Sequence, residues 1–143
     1  MTSFYAIRDS ILVSIEQDAP HVTIHLRAIR NDAQDGKAAA PGLLRQEIRL
    51  IFENAQMEID SSNLPTWLLE GSFSCETLDT DHPGISTENV IPASMHSATG
   101  VKVALSGLLE DSGEYITINV RSESLKLEPL GAPEPTQYTR ATI

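Results

Sequence analysis

The chain of 143 residues has one cysteine, few aromatic side chains and no extended apolar stretch. A single cysteine, Cys75, excludes an internal disulfide and favours a reducing compartment. No apolar stretch approaches the roughly 18 residues that a membrane-spanning helix needs. The N-terminal residues also lack the basic and then apolar pattern of a secretory signal. The sequence therefore predicts a cytoplasmic protein that does not bind membranes.

Basic residues are missing from the middle third, and the net charge is −10. Between Arg49 and Lys102 there is no Lys or Arg, but there are eight acidic residues: Glu53, Glu58, Asp60, Glu70, Glu76, Asp79, Asp81 and Glu88. Such a surface repels phosphate, so nucleic acid is not an expected partner. It would attract a basic protein by electrostatic steering. The alternative is that the acidic surface serves solubility alone.

Motifs for metal and cofactor binding are also absent. The eight glycines are dispersed among turns, so no glycine-rich phosphate loop is present. His21 and His25 share a predicted strand face, but four residues of strand span about 13 Å, which is too far to chelate one ion. Residues 79–90 begin like a calcium loop but have Pro83 and Val90 where ligands are required. We expect no metal and no cofactor.

Catalysis has little support in the sequence. Residues 71–75 lack the second glycine of a nucleophile elbow, and Cys75 lies inside a predicted strand. A carboxylate pair, Glu70 with Glu76 or Asp79 with Asp81, would suit acid–base hydrolysis, and of these Glu70 is the one with an obvious apolar neighbour, Trp67. No residue is named as catalytic, and a carboxylate-dependent hydrolase is the third functional hypothesis.

Segments with an apolar residue at every second position dominate what is present. In His21–Ala28 the apolar residues share one face and the polar residues the other, which is the two-residue period of a half-buried strand. The same period occurs on both sides of the turn 110–113, whose last residue is a glycine. These features predict a hairpin of 101–109 with 114–121.

Two segments, 3–15 and 44–59, fit either a helix or a strand. The β-branched residues Ile11, Val13 and Ile15 favour a strand in the first. In the second, the alternation changes face near Asn54, which a β-bulge would produce. We expect strands in both segments, with one short helix as the alternative.

These patterns predict a mainly β domain over residues 1–128, folded as an antiparallel sandwich or partly open barrel of about seven or eight strands. The proline-rich residues 129–143 are expected to form a C-terminal tail or arm. An arm could cover a sheet edge of a second copy, so a homodimer is an additional expectation.

The main candidate for binding lies in residues 64–71. Three large apolar residues, 67–69, follow each other there, so at least one points away from a one-sided core. Burial between two covered faces is the alternative. With acidic residues on either side, the segment predicts a contact surface for a partner with a basic rim. The predicted partner-binding residues are Trp67, Leu68, Glu70, Asp79, Asp81 and Glu88.

Apolar spacing in the first half, together with Asp9, Phe52 and Ala55, resembles small β-rich bacterial domains of unknown function. The spacing occurs in the stretches 9–15, 22–26 and 48–55. Some of these domains look like immunity proteins that neutralise a toxin, so the resemblance implies protein binding. It transfers no functional residue. Asp9 is interpreted as a turn or capping carboxylate, and Phe52 as a core residue.

The leading hypothesis is a non-enzymatic cytoplasmic protein-binding module with an acidic face, and the resemblance implies an immunity-like role. The second hypothesis is a small-ligand binder that uses the interior of a β-barrel lined by Trp67, Phe73 or Tyr115. The two differ in salt dependence, because steered protein association slows with ionic strength and apolar ligand capture does not.

Overall fold

The computed structural model describes residues 2–33, 44–59, 65 and 67–135. Within them no helix occurs, so the two ambiguous segments are both strands, as preferred from their alternation. No helix in this part of the chain is long and apolar enough to cross a membrane. The ten strands are β1 Thr2–Asp18, β2 His21–Ala33, β3 Leu44–Ile59, β4 Trp67–Ser74, β5 Thr77–Leu78, β6 His82–Pro83, β7 Ser86–Glu88, β8 Val90–Pro92, β9 Ser97–Leu108 and β10 Tyr115–Pro135.

All ten strands belong to one antiparallel sheet in the order β6-β5-β9-β10-β3-β2-β1-β4-β7, with β8 paired to β1. The sheet partly closes into a ring, because β4 pairs with β9 on one side and meets β1 on the other. The predicted mainly β antiparallel class is confirmed. Ten strands replace the expected seven or eight because β5 to β8 are pieces of only two or three residues.

Alternate residues of the six long strands point into the ring and fill it. Ile24, Leu50, Phe52, Phe73 and Leu105 have no exposed surface. Burying one such side chain contributes roughly 1.5–3 kcal/mol, so this apolar interior is the main source of stability. The same alternation leaves every second residue on the outer face, and the outer faces of β4, β9 and β10 therefore form a continuous surface.

The predicted hairpin is present and joins β9 to β10. The Leu109 N–H donates to the Glu114 carbonyl oxygen at 2.9 Å, and the Gly113 N–H donates to the Leu109 carbonyl oxygen at 2.9 Å. Gly113 has φ +71, the left-handed conformation that its position in the turn requires. The hairpin places Tyr115 opposite Leu108.

Closure of the ring depends on a glycine at the β4–β9 contact. A Cβ on Gly107 would lie 2.2 Å from the carbonyl oxygen of Trp67, which is far inside van der Waals contact. Gly107 therefore lets the β4 backbone approach β9 closely. This approach fixes the position of Trp67, the first residue of β4, against Leu108 of β9.

The expected change of face in the second ambiguous segment is confirmed, but its cause is different. In β3 the buried residues up to Phe52 are even-numbered, and beyond Asn54 the half-buried residues are odd-numbered. The pairing of β3 with β10 continues in one register through this point, so the predicted β-bulge is wrong. Asn54 instead has φ +51, and Gly100 has φ +60 on the far side of β10.

In the neighbouring strands β3, β10 and β9, the residues that point into the core switch between even and odd numbers, and the three switch points lie side by side along one line in the sheet. The register places Glu123 of β10 between Asn54 of β3 and Gly100 of β9. On β10 the buried residues are even-numbered up to Ser122 and odd-numbered from Leu125 onward. A hollow on the outer surface lies along this line.

The sheet extends beyond the predicted domain boundary at Glu128. Residues 129–135 continue β10 and pair with β3, and Arg45 Nη2 lies 3.7 Å from Glu134 Oε2. Prolines are tolerated here because β10 has lost its second neighbour: its pairing with β9 stops at Lys126. This stretch therefore pairs within its own sheet. The rest of the predicted arm, 136–143, lies outside the described residues.

Candidate functional site

Four apolar residues form a row across the outer surface of four strands. Ile11 of β1 is opposite Trp67 of β4, Trp67 is opposite Leu108 of β9, and Leu108 is opposite Tyr115 of β10. Directly opposed residues have Cβ atoms about 5 Å apart, so the side chains are neighbours. Trp67 is 51% exposed and Tyr115 is 47% exposed, and these are two of the three large apolar side chains that the described residues expose.

Hydrogen bonds hold both aromatic side chains of the row. The Trp67 indole N–H donates to Asp9 Oδ1 at 3.3 Å. Asp9 has φ +71 and lies where the register of β1 against β2 shifts, between Ala6 and Ile11. The interpretation of Asp9 as a turn carboxylate is therefore compatible with its conformation, and its carboxylate also orients the indole.

At the other end of the row, the Tyr115 hydroxyl donates to the Glu70 carboxylate. This hydrogen bond raises the pKa of Tyr115 above its ordinary value of 10.0, because it stabilises the neutral phenol. Glu70 lies on β4 opposite Ser106, and the Ser106 hydroxyl is 3.0 Å from the Thr117 hydroxyl. A polar row of the sheet thus adjoins the apolar one.

The apolar row has a mostly acidic border. The border includes five carboxylates, three of them in or next to the β9–β10 turn: Asp9, Glu70, Glu110, Asp111 and Glu114. Two basic residues lie on the opposite side, Arg8 in the irregular part of β1 and Arg27 in register with Ile11. The border therefore has a net negative charge.

The consecutive apolar residues of β4 point in alternate directions. Trp67 is exposed, Leu68 is fully buried and Leu69 is half-buried. The prediction that one of the three points away from the core is confirmed for Trp67. Leu68 cannot contact a partner, because the two-residue period of the strand directs it into the core.

The predicted acidic residues of the loop lie far from Trp67. Thr77 pairs with Thr99, which is nine residues from Leu108 along β9, or about 30 Å. Asp79 and Asp81 follow directly in the chain. Glu88 is nearer: it is exposed and opposite Ser72. The structure therefore brings Trp67 and Glu70 together, but it separates Asp79 and Asp81 from them.

The Asp79 carboxylate is already used by the fold. Its Oδ1 accepts the backbone N–H groups of His96 at 2.8 Å and Ser97 at 2.9 Å. Partial burial raises the pKa of Asp79, but these hydrogen bonds and the nearby His96 and His82 outweigh it, so the net pKa lies below 3.8. These two hydrogen bonds connect the loop after β5 to the start of β9.

The residues named for the other two hypotheses are not assembled into one site. Phe73 is buried in the core, whereas Trp67 and Tyr115 are on the outside, so the three do not line one interior pocket. Glu70 and Glu76 are both exposed and lie six residues apart, about 20 Å along a strand. The described residues also contain no cluster of three metal-ligating side chains.

Comparison of the chain with models of protein families, with characterised proteins and with solved structures finds no match in any of the three. The resemblance to small β-rich bacterial domains therefore stays a prediction.

Sequence reasoning missed Ile11 and Leu108 as members of the exposed row. One signal could have found Leu108: it is followed by Leu109, and two consecutive large apolar residues break the alternation as they do at Trp67. Leu109 is buried and Leu108 is half-buried, as this signal implies. For Ile11 no local signal exists, because it joins the row only through its pairing with β4.

Proposed function

We propose that the chain is a non-enzymatic protein-binding module that binds its partner through the exposed apolar row and its acidic border. This surface, called the Trp67 surface below, consists of Asp9, Ile11, Trp67, Glu70, Leu108 and Tyr115. The observation that carries the proposal is the continuous row of four apolar residues with half-exposed Trp67 and Tyr115 side chains.

Aromatic residues are the most frequent energetic centres of protein interfaces. Trp67 and Tyr115 both have a hydrogen bond that restricts the side chain, so less side-chain entropy is lost when a partner binds. The Trp67 surface also combines an apolar centre with a charged rim, which is the usual arrangement of a protein contact.

The charge of the border favours a basic partner. The chain carries −10 overall, and carboxylates dominate the rim, so a partner with basic residues around an apolar side chain would be steered to it. A second copy of the chain would bring two acidic rims together and is therefore the weaker candidate. Nucleic acid and anionic membranes are disfavoured by the same repulsion.

The immunity-like role and the cytoplasmic location are parts of this proposal. A toxin with a basic surface would have the complementary charge. A reducing location is supported by Cys75, which is free and buried.

The test is capture of proteins from the native host with three immobilised baits. These are the wild type, Trp67→Ala, and a control in which Asp79, Asp81 and Glu88 are all neutralised to Asn or Gln. Circular dichroism melting first establishes that each variant is folded. The proposal expects one protein that is retained by the wild type and the control, lost by Trp67→Ala, and retained less as salt is raised.

Direct binding to the purified partner would then be followed by fluorescence of Trp67, the chain's single tryptophan. A shift of emission to shorter wavelength is expected because binding removes the indole from water. Equal retention by folded Trp67→Ala and wild type would refute the proposal. Concentration-dependent self-association that Trp67→Ala abolishes would replace the basic partner by a second copy.

A further inference from the structure

Two basic side chains face each other on the outer surface of β9 and β10, away from the apolar row. Lys102 of β9 and Arg121 of β10 are directly opposite in the strand register, and both are exposed. They line a groove of about 400 Å³ between β3, β10, β9 and β4. An adjoining hollow of about 300 Å³ shares Lys102, Arg121 and Gln56 with it. Lys102 is six residues, or about 20 Å, from Leu108, whereas Ser72 of the groove is only two residues from Glu70, so the groove adjoins the Glu70 side of the Trp67 surface.

Neither cation has an ion pair or a side-chain hydrogen bond within the described residues, although Glu58, Glu76 and Glu123 line the same two hollows. Some basic residues elsewhere on the sheet have acidic partners, since Arg49 lies 3.4 Å from Glu128 and Lys126 lies 3.9 Å from Glu53, whereas Arg8 and Arg27 have no ion pair among the described residues. Lys102 and Arg121 therefore lack ion-pair partners even though carboxylates are close by.

Like charges placed directly opposite each other destabilise a sheet. In a chain with 20 acidic and 10 basic residues, this arrangement has no evident benefit for folding. Residues that destabilise the fold and make no compensating contact are typical of binding sites. Arg121 adds a planar fork of N–H donors that suits a carboxylate or phosphate, and Lys102 adds a point charge.

The remaining walls of the groove determine what else the ligand must offer. They carry two hydroxyls, two amides and one carboxylate, from Ser72, Ser74, Gln56, Asn119 and Glu58. None of the described residues that line the groove is aromatic, so they offer no platform for stacking of a base or an aromatic ring. The amides and the carboxylate accept hydrogen bonds from hydroxyl groups, and the serine hydroxyls donate or accept.

We propose that the groove binds a small hydroxylated molecule with one oxyanion, of the class of sugar acids and sugar monophosphates. Arg121 and Lys102 hold the oxyanion, and the polar residues of β3, β4 and β10 bind the hydroxyls. A polyanion is excluded as ligand because Glu58, Glu76 and Glu123 surround the two cations. This inference is independent of the protein-binding proposal, because the two sites share no residue.

The experiment is a titration of the purified protein, followed by backbone NMR shifts, with four probes: glucuronate, glucose 6-phosphate, glucose and inorganic phosphate. The variants are Arg121→Gln and Lys102→Gln. Lys126→Gln is the matched control, since it removes the same charge from β10 on the other side of the line where the faces change. Melting temperatures establish folding, and both groove variants should melt at or slightly above the wild-type temperature.

We expect saturable shifts confined to β4, β9, β10 and the end of β3 with glucuronate or with glucose 6-phosphate. The probe that binds more tightly distinguishes a carboxylate from a phosphate ligand. Each groove variant should weaken binding by about tenfold or more, and Lys126→Gln should not.

The proposal is overturned if neither sugar anion saturates, if glucose binds as tightly as they do, or if binding survives in both groove variants. Equal affinity for inorganic phosphate and glucose 6-phosphate would overturn the role of the hydroxyl-binding residues. Shifts centred on Trp67 would also contradict it. Failure of this titration leaves the capture experiment unaffected, because that experiment depends on the Trp67 surface alone.

Discussion

The two ends of β9 lie beside side chains of different character and different availability. At the Leu108 end, Trp67 is half-exposed and is used by the fold in one hydrogen bond to Asp9. At the Ser97 end, the Asp79 carboxylate accepts two backbone N–H groups. The Trp67 ring therefore stays half-exposed despite its hydrogen bond, whereas the two hydrogen bonds of Asp79 use the carboxylate with which it would have bound a basic partner.

The largest expected loss of unfolding free energy comes from the close approach of Gly107 to Trp67, beside Leu108 at the end of β9. Gly107→Ala places a Cβ on the Trp67 carbonyl oxygen and must push β4 away from β9, so we expect a loss of more than about 4 kcal/mol of unfolding free energy. Gly113→Ala is the matched control, since Gly113 has open space and only backbone strain, worth about 1–2 kcal/mol. Urea unfolding measures both, and equal losses would show that the close approach is unimportant.

The next prediction separates two neighbours that the sequence grouped together. Leu68→Ala should cost about 3 kcal/mol of unfolding free energy, because it leaves a cavity in the core. Trp67→Ala should cost less than about 1 kcal/mol, because half of the side chain is already in water. Thermal unfolding of both variants checks this. A larger loss for Trp67→Ala would mean that its surface serves folding rather than binding.

A smaller effect is expected at the Ser97 end. Asp79→Ala removes the acceptor of two backbone N–H groups and should cost about 1–2 kcal/mol of unfolding free energy at neutral pH. Because folding lowers the pKa of Asp79, its contribution is present above its ordinary value of 3.8 and is lost as pH falls through the lower folded value.

Urea unfolding of wild type and Asp79→Ala at pH 7 and at about pH 2 measures this contribution, and the difference between them should shrink in acid. Asp81→Ala is the control, because Asp81 is exposed and makes no hydrogen bond among the described residues. A difference that is constant with pH would show that the carboxylate charge is irrelevant.

The smallest expected effect is the alkaline titration of Tyr115. Its pKa is raised by the hydrogen bond to Glu70, so the interaction is present at neutral pH and is lost as pH rises above 10.0 through the raised value. Ultraviolet absorbance of wild type minus Tyr115→Phe isolates this phenol among the three tyrosines. Glu70→Gln should return the transition toward its ordinary pH, and an unchanged transition would contradict the contact.

The sequence allowed a correct prediction of the long strands, the β9–β10 hairpin and the change of face in β3, because each depends on local features. A two-residue period is visible within one strand, and a left-handed glycine is visible within one turn. The continuation of β10 through Pro129 to Pro135 was missed because prolines argue against a strand. That argument fails at a sheet edge, which only the pairing with β3 reveals.

The candidate site was half predicted. The unbroken apolar residues of β4 indicated an exposed residue, and Trp67 is that residue. The expected grouping of Trp67 with Asp79 and Asp81 was wrong, because closeness in the chain was taken for closeness in space. β4 and the residues after it run along β9, so each residue added about 3.3 Å to the separation.

By itself, the sequence determined an acidic, mainly β chain and the directions in which successive side chains of each strand point. The pairing of Leu108 with Tyr115 and of Lys102 with Arg121 follows from the β9–β10 hairpin, whose turn sets the register. The tertiary structure alone decided that Ile11 and Trp67 join Leu108 in one row. Side-chain alternation is a property of a single pleated strand. The register between strands that are far apart in the chain instead depends on which segments pair, and that choice is made by the packing of the whole interior.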